Sequence, residues 1–360
     1  MKISEVIKSL PASNAAIKNT ASSEPKEGWY PAYSASGQDV WLPDCRFTQK
    51  GIVVSAVGAR CGKAFKADGK WNICANTHPL SVDETKALRD YCWYMINNED
   101  WWIKGGTAQP FVKVKDSFNR DFNFPPISEQ KLIVHRLDTI QSLINQKQLQ
   151  IERLDELVKA RFVEMFGGSK TYPIRPLSDI AEYWNGLTYK PTDVSNDGTI
   201  VLRSSNIQNM QLDLNDIVRV KCDIGNKKIV EKNDILMCSR NGSAKLVGKV
   251  ALIPNLQEQM SFGAFMMIIR SEYYSYLMTY FQLPEFRSQI STGTTTINQI
   301  TRYMLDKVEL PVPDKASIDE FSTFVAQIDK SKFALGNELA MGDFYVRLIH
   351  NRIMHGRIDL

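Results

Sequence analysis

The chain has 360 residues, 43% of them hydrophobic and 23% charged, with a net charge of +4 and a pI near 8.6. This is enough apolar material for more than one core. It is too weakly basic for a purely electrostatic nucleic-acid binder, although it permits contact with nucleic acid. The six cysteines (Cys45, Cys61, Cys74, Cys92, Cys222, Cys238) form no C-x-x-C pair and no Cys/His set at metal-ligand spacing, which predicts reduced thiols and no metal centre. Met1 to Leu10 lacks a signal-peptide core, and no apolar run approaches the roughly 18 residues of a membrane span, so a cytoplasmic protein is expected.

Within the first half, Gly51-Ile52-Val53-Val54-Ser55 is short and strand-like, followed by Ser55-Ala56-Val57-Gly58 and Gly62-Lys63. Trp101-Trp102 and Tyr91-Cys92-Trp93-Tyr94 lie at helical spacing with Leu88 and Met95, which reads as core. Gly105-Gly106-Thr107-Ala108-Gln109 then runs through Asp116, Phe118 and Phe124 to Pro125-Pro126. Beyond it, Leu137, Ile140, Ile144, Lys147, Ile151, Leu154 and Val158 follow a four-three spacing, the seam of a coiled coil interrupted only by a lysine. Ser128 with Glu129 and Gln130 reads as the N-cap and first turn, Gly167-Gly168 as the stop. Such a helix is about 58 Å long.

The second half repeats the first. Asp234-Ile235-Leu236-Met237-Cys238 and Phe265-Met266-Met267-Ile268-Ile269 are strand-like. Ser239-Arg240-Asn241-Gly242 and Gly248-Lys249 echo Ser55 to Gly58 and Gly62-Lys63 at offsets of 184 and 186 residues. Thr292 to Thr296 through Arg302, Leu305 and Leu310 to Pro311-Val312-Pro313 echoes the earlier run at an offset of 187. A second seam follows: Ile318, Phe321, Val325, Ile328, Lys332, Leu335 and Leu339, continuing less regularly through Val346, Ile349 and Ile353. Gly336 and Gly342 inside it cost about 1 kcal/mol each relative to Ala and put its straightness in question. The expected fold is α+β: two globular domains related by a pseudo-two-fold repeat and two long antiparallel coiled-coil helices, with boundaries at 1–126, 127–168, 169–313 and 314–360.

Enzymatic motifs fail on inspection. Gly58-Ala59-Arg60-Cys61-Gly62-Lys63-Ala64 has one residue too few between its glycines for a phosphate loop and no Ser/Thr after the lysine, and Gly242 to Val250 is one residue too long. Both read better as strand-turn-strand units with an exposed lysine. Asp44, Asp68 and Lys70 formally satisfy a loose metal-nuclease pattern, but Ala67-Asp68-Gly69-Lys70 is also a hairpin turn. Phe124-Pro125-Pro126-Ile127 lacks the amide or acid and the aromatic that a base-nitrogen methyltransferase requires. His78, His135, His350 and His355 are scattered and form no catalytic constellation.

Two similar globules on stiff helices suit a bipartite ligand, and duplex DNA presents half-sites on one face about every 34 to 36 Å. Here the chain resembles the specificity subunits of type I restriction-modification systems. The resemblance rests on Phe124-Pro125-Pro126-Ile127-Ser128-Glu129-Gln130-Lys131, Leu137-Asp138-Thr139-Ile140 and Ile151-Glu152-Arg153-Leu154. In the second half it rests on Leu310-Pro311-Val312-Pro313, Ile328-Asp329 and the threonine run with Ile297-Asn298. It implies two target-recognition domains and two spacer helices, double-stranded DNA as ligand, two methyltransferase subunits and an ATP-dependent restriction subunit as partners. It also implies a chain without catalytic residues or cofactors of its own, S-adenosylmethionine, ATP and Mg²⁺ acting in the partners. With that resemblance, Arg60, Lys63, Arg240, Lys245 and Lys249 are candidates for phosphates, and Asn241 and Ser243 for base edges. Tyr189, Lys190, Arg203, Ser204 and Asn206, with Thr294, Thr295, Thr296 and Asn298, complete the expected DNA-contacting set. The competing reading is a coiled-coil scaffold that binds only proteins.

Overall fold

The computed structural model describes residues 1–12, 18–167, 172–290 and 299–354. The chain divides into two compact bodies: one formed by Met1–Leu149 together with the stretch from Leu335 onward, the other by Gln150–Ala334.

In the first body a four-stranded antiparallel sheet runs in the order Ile7–Ser9, Thr77–Val82, Gly51–Ser55, Ala64–Ala67. Every residue of Gly51–Ser55 is buried, which is why this segment reads as a continuous apolar run instead of an alternating one. Arg89–Ile96 packs against this sheet as a short helix, and Tyr91, Cys92, Trp101 and Trp102 lie in the core, as their spacing predicted. A smaller sheet pairs Tyr30–Ser34 antiparallel with Gly37–Leu42 and parallel with Asn72–Ile73. The turn at Gly69 (φ +67°) therefore carries the chain from one sheet to another and does not close a hairpin.

The second body repeats this plan. Glu182–Asn185, Met266–Arg270, Ile235–Cys238 and Val250–Leu252 form an antiparallel sheet in the same order, the third strand again wholly buried. Its second sheet again contains a parallel pair, Thr199–Leu202 with Met260–Phe262. Even the first backbone bond recurs: Ile3 N donates to Arg120 O in one body, Leu177 N to Val308 O in the other. The repeat seen in the sequence is thus a repeat of sheet order, register and chain polarity.

Two 40-residue helices, Ile127–Phe166 and Lys315–Met354, supply segments to both bodies. In the first body Ile144 packs on Gly342, where an added Cβ would stand 2.9 Å from Ile144 Cγ1, and Lys147 pairs with Glu338 at 2.7 Å. In the second, Lys332 pairs with Asp155 at 2.6 Å, and Phe162, Phe166, Phe321 and Tyr276 form an aromatic knot with ring centroids 5.0 to 5.6 Å apart. Within each body the pairing is antiparallel. All the heptad positions read from the sequence are buried or half-buried, the two lysines included. The C-terminal helix runs unbroken through both glycines: Gly342 is the site of closest approach, while Gly336 touches nothing within 4 Å.

The first helix begins at Ile127, so Ser128 lies inside its first turn and is not the N-cap. Gln130 turns inward: it is fully buried, accepts from Leu88 N and donates to Pro125 O. A polar side chain that looked like a solvated first turn instead bolts the helix to the globule.

Candidate nucleic-acid interface

The two glycine-lysine segments have the same construction. In the first body Ser55 N donates to Lys63 O and Gly62 N to Ser55 O; in the second Cys238 N donates to Lys249 O and Gly248 N to Cys238 O. Gly62 (φ +98°) and Gly248 (φ +79°) both lie in the left-handed region. Each also has a planar group laid on it: Trp102 over Gly62, where a Cβ would come within 2.7 Å, and the Arg287 guanidinium over Gly248, within 2.9 Å. The glycines answer to backbone geometry and close packing, which explains a phosphate-loop likeness that has the wrong spacing in both copies. Burial at this position also draws the Arg287 guanidinium below its ordinary range.

The equivalence extends to the loops. Ala56 N donates to Asn76 O and Ser239 N to Phe265 O; Val57 bridges to Phe111 and Arg240 to Gln299. Val57 and Asn76 in the first body therefore stand where Arg240 and Phe265 stand in the second, one residue out of the register that matching Ser55 with Ser239 in the sequence gives.

In the second body these loops meet in a cleft of about 910 Å³ lined by Tyr189, Arg203, Ser204, Arg240, Asn241 and Phe265, among others. Five of these six were candidates from sequence, drawn from three separate segments. The Asn241 amide donates to Ser204 Oγ (3.0 Å) and accepts from Ser243 N (2.9 Å), tying two of the segments together. The Arg240 guanidinium sits 5.5 Å from the centroid of the Phe265 ring. Arg203 is neutralised by Asp216 at 2.9 Å. Cys238 lies buried at the root of the loop, and burial raises its thiol above the usual range, consistent with an inert core position.

The remaining candidates are dispersed. Lys190 is exposed beside Tyr189. Ser243 and Lys245 are exposed on the loop that follows Asn241. Lys249 is half-buried and lines a different groove with Gly248 and Arg287. Arg60 is exposed and Lys63 half-buried in the first body. Asn206 does not face solvent: it is fully buried, accepts from Arg203 N and donates to Asp213 O and Asp216 O, all at 2.8 Å. It is a brace for the loop. Thr294, Thr295, Thr296 and Asn298 lie outside the described residues, as does His355.

Phe265 escaped the sequence reading, which took it as the first residue of a core strand. Its 60% exposure distinguishes it, and the only local signal is the Gly263-Ala264 pair that precedes it.

The nuclease pattern is not assembled. Asp68 pairs with Arg89, Asp44 accepts from Asn72 Nδ2, and Lys70 lies over the Tyr30 ring. Among the described residues no group of His, Cys, Asp or Glu could hold a metal ion, and no helix is long and apolar enough to cross a membrane.

A globule built twice, each copy carrying its own set of loop side chains on one scaffold, defines a tandem-repeat protein of two α+β domains. The chain belongs to the family of the type I restriction modification DNA specificity domain, whose model matches residues 1–153 and again 169–340. It is 29% identical over 173 residues, 44% of its length, to the type I restriction enzyme EcoKI specificity subunit of Escherichia coli (strain K12), and that match spans 37% of the relative. Its fold is similar to that of the S subunit of a type I restriction-modification system from M. genitalium, with a TM-score of 0.56 at 13% identity, covering 98% of this chain and 95% of that one. It is also similar to a chain from a structure describing complex assembly and conformational transition of the type I R-M system, with a TM-score of 0.55 at 15% identity over 99% and 97% of the two chains.

Proposed function

We propose that this chain is the specificity subunit of a type I restriction-modification enzyme, reading a bipartite duplex target with one half-site per body and performing no bond-making step itself. The observation that carries the reading is the pairing of an identical scaffold with unlike loop chemistry: Val57 and Asn76 in one copy, Arg240 and Phe265 in the other. Duplication with divergence at equivalent loop positions is what two different short words require of one fold. The domain limits 1–126 and 169–313, with helices at 127–168 and 314–360, are the proposed functional division.

The partners proposed are two methyltransferase subunits and an ATP-dependent restriction subunit, with S-adenosylmethionine, ATP and Mg²⁺ acting there. The helices support docking, since Leu143, Leu149, Leu157 and Val163 on one and Phe333, Met341, Phe344 and Tyr345 on the other are 46% to 72% exposed, more apolar surface than a solvated helix face needs.

Comparing the methylomes of cells with and without the chain tests the reading: a split motif should vanish on deletion and return on complementation. The scaffold reading draws on the same exposed apolar helix residues. It would prevail if replacing Arg240, Asn241 and Lys245 together by alanine left target methylation unchanged.

A further inference from the structure

Arg240 and Phe265 form a unit that the fold does not need. Arg203, Arg219 and Arg270 in the same body are each neutralised by a carboxylate, at 2.9 Å from Asp216, 2.8 Å from Glu258 and 2.7 Å from Asp234 respectively. Among the described residues no carboxylate pairs with Arg240; its guanidinium rests on the Phe265 ring instead. The ring itself is 60% exposed at the mouth of a strand whose following residues, Met266 to Ile269, are at most 1% exposed. An aromatic held open by a rigid strand, beside an unneutralised planar cation, leaves apolar surface in water in the free protein. That exposure makes sense when a ligand completes the site.

We infer that Arg240 and Phe265 are specificity-determining residues of the second body. Arg240 takes the O6 and N7 acceptors of a guanine in the major groove, and Phe265 meets the methyl group of a neighbouring thymine. A guanidinium fork matches the guanine edge, and apolar contact distinguishes thymine, whereas a phosphate would not call for the aromatic wall. The ring limits the rotamers of the arginine, so less freedom is lost when the fork engages. Asn241, anchored by Ser204 Oγ and Ser243 N, fixes the loop on which Arg240 stands. The first body has Val57 and Asn76 at these positions and has no guanidinium to offer a guanine there. The two half-sites therefore differ, and the guanine and thymine belong to the half read by residues 150–334.

This inference rests on the specificity reading above, and one experiment separates them. The complex of this chain with its modification subunits is assembled on duplexes carrying the motif found by methylome sequencing, with each guanine in turn replaced by 7-deazaguanine and each thymine by uracil. The wild-type complex should lose roughly tenfold in affinity at one guanine of one half-site and about fourfold at an adjacent thymine. Arg240→Ala should abolish the first response and Phe265→Ala the second, both variants keeping the wild-type melting temperature and the wild-type preference in the other half-site. A guanine response that persists in Arg240→Ala, or is absent at every guanine, overturns the role of Arg240. A thymine response that persists in Phe265→Ala, or is absent at every thymine, overturns that of Phe265. Absence of any split motif in wild-type cells would instead sink the specificity reading itself.

Discussion

His350 lies against Tyr94, with ring centroids 6.1 Å apart, and its Nε2 is buried with no hydrogen-bond partner among the described residues. Burial holds both His350 and His78 below the ordinary histidine range, so each is neutral in the folded first body. An unfolded chain binds protons at these positions from about pH 6.5 downward while the folded chain does not. Stability is therefore full above that pH and falls as pH drops toward the depressed folded values. Asp83, held low chiefly by its bonds to Thr85 and Lys86, contributes only further into acid. Melting curves between about pH 5 and pH 8 should slope below pH 6.5 in the wild type and more shallowly in His350→Phe; equal slopes would remove His350 as a cause. At this scale the sequence was a partial guide. Residue type nominated Arg240, Asn241 and Ser204, because loops rich in basic and amide groups are where ligands are met. It could not separate Asn206, whose amide is consumed by three backbone partners, from Asn241 a short distance away, since burial depends on contacts distant in sequence.

Between the long helices, the two lysines that break the apolar seams are each answered by a carboxylate: Lys147 by Glu338, Lys332 by Asp155. Lys332 is only 13% exposed, and Asp329 stands 3.9 Å from it on the next turn. Such a pair is a register mark: sliding one helix by a turn strands a charge in an apolar seam. Lys332→Ala, which leaves Asp155 unanswered, should lower stability by about 1 to 3 kcal/mol in urea denaturation. Replacing Lys332 and Asp155 together by leucine should recover most of that loss, and a double variant as unstable as the single would contradict the argument. The seams were legible because period is a local property. The inward turn of Gln130 was not, because its partners, Leu88 N and Pro125 O, are set by how the helix meets the globule.

Taken over the whole chain, the repeat was the most legible feature, since offsets of 184 to 187 residues in glycine and proline landmarks survive where side chains have diverged. What the offsets could not reveal is that the shared object is a sheet order and a strand polarity, which two bodies preserve with few identical residues. Exchanging residues 170 to 310 for those of a relative should change one half-site of the methylated motif and leave the other intact; a change in both would contradict the modular reading. The two bodies also differ in how they draw on the chain. The second is contiguous, from Gln150 to Ala334, whereas the first takes Ile353 into its core from more than 200 residues beyond its own globule. On the ribosome, then, the order in which the two cores gain their last residues inverts the order in which the globules are begun: all of the second body's chain exists before Ile353 can reach the first.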